Sequence, residues 1–166
     1  MAQALFITTE DLTKFTAVNG NIDRDNFIQF IKISQDIHIK NYLGSKLYDK
    51  INDDIVDGTL ANPYLALLTD YIKPMVIHWA MVEYLPWGAY TIANRGIYKH
   101  GAETSETVSK NEVDFLIEKE RTTAENYTRR FIEYMCYNYN DYPEYTTNVD
   151  SDIVPSKNSA FGGWYL

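Results

Sequence analysis

The sequence predicts an all-α fold: a helical bundle with one long projecting helix, an irregular insertion and an extended C-terminal tail. Apolar residues recur at three- and four-residue spacing through most of residues 1–145. Helix start and stop chemistry brackets those stretches, at Thr8 with Asp11, at Gly44, at Gly58 and at Asn62-Pro63. Alternating patterns are confined to a short stretch around "GIYKH".

In "ITTEDLTKF", Thr8 and Asp11 form a capping pattern for a short helix that ends near Phe15. Asn19-Gly20 is turn chemistry, and Asp23 can cap the second helix. From Arg24 to Leu43, Phe27, Phe30, Ile31, Ile37 and Tyr42 fall on helical spacing. Gly44 stands where a helix end needs a residue comfortable at positive φ, and Ser45 reads as the next N-cap. Leu47, Tyr48, Ile51 and Ile55 mark the stripe of a third helix, which Gly58 closes in the same way.

Asn62 as N-cap and Pro63 at the first helical position start a helix that runs toward Leu85. Pro74 lies inside it, and an interior proline costs about 3 kcal/mol and kinks the helix. A bend is therefore expected between Thr69 and Lys73. Val76, Ile77, Trp79, Ala80, Met81 and Tyr84 are apolar on several faces, which predicts the buried central helix. Residues 86–108 carry Pro86, Gly88, Gly96 and Gly101, and read as an irregular loop or a short β-hairpin.

Ser109 with Glu112 is a second capping box. Helical spacing then runs through Val113, Leu116, Ile117, Ala124, Tyr127, Phe131 and Met135 to Asn138. A helix of about 30 residues is roughly 45 Å long. That exceeds what a bundle of this size needs, so this helix is expected to project or to pack on a neighbouring copy. Periodicity stops after "NYNDYPEY". The chain thus divides into a helical domain, 1–145, and an interaction tail, 146–166, that ends in aromatics.

Composition excludes several functions. A hydrophobic content of 45% rules out a wholly disordered chain. A net charge of −8 argues against clamping nucleic-acid phosphates. The close basic pair Arg129-Arg130 reads as a solvated helix edge. Cys136 is alone, which leaves no disulfide framework, and its apolar neighbours suggest a buried structural thiol. "MAQALFITTEDL" lacks the pattern of a secretory leader, and "MVIHWAMVEYLPW" is too short to span a bilayer. A soluble protein of a reducing cytoplasm is expected.

No reagent set emerges. His38, His78 and His100 lie in separate segments without a ligand at metal-binding spacing. Asp53, Asp54 and Asp57 read as a polar helix face rather than a calcium loop. The five-residue spacing of His78 and Glu83 puts them on different faces, and His38 and Lys46 are expected at the surface. No Gly-x-Ser-x-Gly elbow or glycine-rich phosphate loop is present. The expectation is a protein with no enzymatic activity, no cofactor and no metal.

The order of features resembles a known family. It runs from "ITTEDL" through "YLGSKLYDKI" and "NPYLALLTDYIKPMVIHWA" to "AENYTRRFIEYM" and "YPEY". Over about Ile7–Tyr145 it is similar to the head–tail connector (adaptor) proteins of tailed bacteriophages, most of all those of crAss-like phages. The resemblance implies a structural virion subunit that assembles into a homo-oligomeric, twelvefold ring beneath the portal protein. Such a ring extends the DNA channel without specific DNA binding and offers a platform to a tail-side connector protein. It implies residence in the virion at the head–tail interface, after assembly in the host bacterial cytoplasm. Ile153, Val154, Phe161, Trp164, Tyr165 and Leu166 of the tail are expected at a partner interface, with Tyr98, Tyr127 and Arg130. The competing expectation is an intracellular helical adaptor that acts through its tail.

Overall fold

A computed structural model of the chain describes residues 3–18, 25–88, 90–93, 96–99, 110–147 and 152–158. The first helix, α1 (Thr9–Phe15), opens with the expected capping box: the Thr8 N–H donates to Asp11 Oδ2 at 2.9 Å, and Thr8 Oγ1 accepts from the Asp11 N–H at 3.2 Å.

The second predicted helix is one helical path in three pieces: α2 (Asp25–Ser34), a π-helical turn (Gln35–Ile39) and α3 (Lys40–Leu43). The wider turn is the unforeseen part. Gln35 and His38 both end up buried, while Asp36 and Ile37 between them face outward. Gly44 ends α3 at φ 75° and ψ 160°, and α4 (Ser45–Asp57) begins at once. Ser45 is therefore the first helical residue and not an N-cap. Its N–H, which the helix cannot satisfy, donates instead to the Ile153 carbonyl at 3.0 Å. Gly58 closes α4 in the left-handed region, at φ 68°.

The expected bend before Pro74 is a second π-helical turn, Leu68–Ile72, between α5 (Tyr64–Leu67) and α6 (Lys73–Tyr84). The extra residue absorbs the missing proline N–H and the ring's clash, so the helix continues past Pro74. Helix α6 is the core helix: Met75, Val76, Ile77, Trp79, Ala80, Met81 and Val82 are all buried. The insertion holds a β-hairpin, β1 (Tyr90–Ala93) antiparallel to β2 (Gly96–Lys99), with Tyr90 opposite Lys99 and Ile92 opposite Ile97.

Helix α7 spans Lys110–Asn138, 29 residues, or roughly 43 Å. Tyr71 meets Tyr134 and His78 meets Tyr127, so α7 runs antiparallel to α6. Ala124, Thr128, Phe131, Ile132 and Met135 form its buried stripe. The first turns carry no buried residue, and Phe115 is 63% exposed there. This is the long projecting helix of the predicted bundle. Cys136 is exposed rather than buried: it follows Met135, about 100° around the helix from the inward stripe. A 3₁₀ turn (Tyr139–Asp141) and α8 (Pro143–Thr146) then fold Tyr142 and Tyr145 into the core.

Candidate functional site

Side chains from α2's continuation, α6 and α7 converge on Trp79, which is 1% exposed. The His38 imidazole, delivered by the π turn, stacks on the indole at 4.0 Å and 10°. Trp79 Nε1 donates to Thr128 Oγ1 at 3.1 Å, and that hydroxyl donates in turn to the Ala124 carbonyl at 2.8 Å. Both polar ends of the buried pair are thereby satisfied. His38 Nε2 lies 2.8 Å from Glu83 of α6, and His78 Nδ1 lies 2.8 Å from Glu120 of α7. His78 and Glu83 do not meet, as their spacing predicts; each finds a partner on another helix. His38, expected at the surface, is buried, because the π turn rotates it inward.

Burial holds the His38 imidazole below its ordinary value of 6.5; Glu83 opposes that shift and Arg121 reinforces it. The folded state therefore binds fewer protons at this site than the unfolded chain does. Stability is full above pH 6.5, falls as pH drops through 6.5, and levels off below the depressed value. The expected result is a stability advantage of wild type over His38→Gln that shrinks between pH 7.5 and 5.5, read by urea denaturation at each pH. An advantage that grows on acidification contradicts it.

The second feature is a tyrosine seam joining α4, α5, the second π turn, α7 and α8. Tyr71 stacks on Tyr134 at 4.2 Å, the Tyr134 and Tyr142 hydroxyls lie 3.1 Å apart, and Tyr64 packs edge-on against Tyr142. The Tyr64 hydroxyl donates to Glu144 at 2.6 Å, and the Lys50 ammonium sits over the Tyr64 ring at 4.9 Å. Burial raises the Tyr64 and Tyr142 phenols above their ordinary value and pushes Tyr145 up to about 12. Two expected interface residues belong to this seam. Arg130 is exposed over Tyr71 and Tyr127, at 5.7 and 5.9 Å, while Tyr127 is half-buried against His78.

The tail residues divide. Ile153 bonds twice to Ser45, accepting from its N–H and donating to its Oγ, each at 3.0 Å. The Ser156 N–H donates to the Asn41 carbonyl at 2.9 Å. The segment thus runs back over the Gly44 corner, with Val154 facing outward. Phe161, Trp164, Tyr165 and Leu166 lie outside the described residues. Tyr98 stands on β2 opposite Thr91, and its side chain is also outside them.

Among the described residues, no group of three or more His, Cys, Asp and Glu side chains could hold a metal ion, and no helix is long and apolar enough to cross a membrane. The polar contacts of the tryptophan cluster and the tyrosine seam join helix to helix. Exposed large apolar and aromatic side chains include Phe115 and Leu116 on α7, Trp87 past the end of α6, and Tyr137.

The family of unknown function DUF6712 matches residues 39–153. No curated protein and no solved structure matches the chain. The matched stretch opens on the last residue of the first π turn and ends on Ile153, which bonds to Ser45.

Proposed function

We propose that this chain, which belongs to the family of unknown function DUF6712, is a structural subunit of a tailed-phage virion: a head–tail connector (adaptor) that closes into a ring. The observation that carries the reading is the N-terminal part of α7. Its first turns, residues 110–116, bury no side chain and leave Phe115 and Leu116 exposed, an arrangement natural for a subunit with a neighbour. A ring needs two different faces that meet head to tail. The projecting helix supplies one, and the flank of an adjoining copy supplies the other.

The charge supports the same reading. At −8 the subunit repels the DNA backbone, which suits a channel wall that duplex must pass without sticking. The ring, twelvefold by the resemblance, docks under the portal protein and receives a tail-side connector protein. Its His–Glu pairs and tyrosine seam hold the bundle rigid, and no substrate, cofactor or metal enters this role.

Size-exclusion chromatography with light scattering, followed by negative-stain imaging with portal protein present, tests the reading. Rings or portal-bound rings are expected. Phe115→Asp is expected to stay folded, because the side chain is exposed, and to abolish ring formation. A wild-type chain that remains monomeric and never enters portal-containing particles sinks the proposal.

A further inference from the structure

Arg130 is an exposed cation held in place without an acidic partner. Its guanidinium carbon lies 5.7 Å from the Tyr71 ring centre and 5.9 Å from that of Tyr127, rings carried by the second π turn and by α7. Other surface cations pair with a carboxylate one turn away: Lys32 with Asp36, Lys50 with Asp54 and Arg121 with Glu118. Among the described residues Arg130 forms no ion pair, although Glu133 stands one turn on.

Arg130 shares a side of α7 with the apolar residues of its first turns. At about 100° per residue, Phe115, Leu116, Arg130 and Tyr137 fall within an arc of about 100°. All four are exposed, and the buried stripe through Ala124, Phe131 and Met135 faces away from them. Arginine and tyrosine beside large apolar groups are the side chains on which interface energy concentrates. A guanidinium already fixed over aromatic faces keeps its N–H edge free, and it loses little further freedom when a carboxylate docks there.

An acidic stripe stands at the other end of the tyrosine seam. From Arg130 the contacts pass through Tyr71, Tyr134, Tyr142 and Tyr64 to Lys50 of α4. Asp49, Asp53 and Asp57 follow one another at one-turn spacing on α4, and all three are exposed. Lys50 is taken by Asp54, and among the described residues no cation pairs with any of the three. The lone arginine and the unpaired carboxylates thus occupy two different faces of one chain.

We propose that the Arg130 side of α7 docks on the α4 face of Asp49, Asp53 and Asp57 in the next copy of this chain, with the guanidinium on Asp53. Charge complementarity selects a second copy. At −8 the copies repel one another overall, and this cation against this stripe makes one orientation attractive. Two different faces meet, so the contact propagates head to tail and every copy supplies both halves. The contact rests on the ring reading above and names its two faces.

A charge exchange in the full chain tests it, with light scattering and negative-stain imaging in the presence of portal protein as the readout. Arg130→Glu, Asp53→Arg and the double variant are prepared, and circular dichroism checks that each keeps its fold. Each single variant sets like charges against each other and is expected to lose the ring that wild type forms. The double variant restores an opposite pair at every contact and is expected to recover the ring, as is an equimolar mixture of the two single variants. Rings in Arg130→Glu alone, or a double variant that assembles no better than the single ones, overturn the proposal and leave the connector reading standing. A wild-type chain that forms no ring in the same runs overturns both.

Discussion

Trp79→Ala is expected to lower the free energy of unfolding by about 3–5 kcal/mol, the range for truncating a large buried aromatic. The indole is 1% exposed on the central helix, so its removal leaves a cavity that a close-packed interior closes only in part. Two further losses are specific to this site. Thr128 Oγ1 loses the donor it accepts from, and His38 loses the ring it stacks on, with its imidazole still buried beside Glu83. Trp79→Phe keeps most of the packing but not the donor, and is expected to cost about 1–3 kcal/mol through the hydrogen bond that Thr128 Oγ1 no longer accepts and the smaller ring. Domains of this kind are stable by about 5–15 kcal/mol in total. The alanine variant is thus expected to be largely unfolded well below the wild-type midpoint. Urea denaturation followed by circular dichroism reads both variants. A loss under about 1 kcal/mol for Trp79→Ala, the size of an ordinary surface change, would show that the three helices are not pinned at this residue.

Local chemistry is legible in the sequence. The Thr8–Asp11 box, the positive-φ glycines at positions 44 and 58, the disturbance before Pro74 and the long helix α7 each depend on a few neighbouring residues, and each is present. What the sequence hides is non-local. A π turn at Gln35–Ile39 has no proline or glycine to announce it. It exists because Gln35 finds the chain 31 residues upstream, at Ala4, while His38 finds Glu83, 45 residues downstream. Ser45 departs from its expected capping role for the same reason, since its partner is Ile153. Met135, next to Cys136 in sequence, lies about 100° around the helix from it, so its burial says nothing of the thiol's. The abundance of tyrosine is visible as interface chemistry. That Tyr71, Tyr134, Tyr142 and Tyr64 form one seam emerges only once α7 turns back along α6.

Gly44→Ala is the second large effect expected, and its comparison with Gly58 makes it specific. Gly44 sits at φ 75° and ψ 160°, a combination available almost only to glycine. Gly58, at φ 68° and ψ 23°, is in the ordinary left-handed region, and a β-carbon there would meet nothing within 4 Å. A side chain at Gly44 costs about 1–3 kcal/mol in backbone strain alone. Relieving that strain means moving the corner, and the corner is where Ser45 and Asn41 hold the returning Ile153–Ser156 segment. Losing that capping contact adds about 1 kcal/mol more, as for other helix N-termini. Asparagine separates the two positions. It tolerates the left-handed region, so Gly58→Asn is expected to be nearly neutral, within about 0.5 kcal/mol. Gly44→Asn gains no such relief, because ψ 160° lies outside that region, and is expected to be as damaging as Gly44→Ala. Chemical denaturation of these variants decides the matter, with hydrogen exchange at the Ser45 and Ser156 amides as a local readout. If Gly44→Asn matches wild type, the corner's backbone is not the constraint that places α4 and the tail.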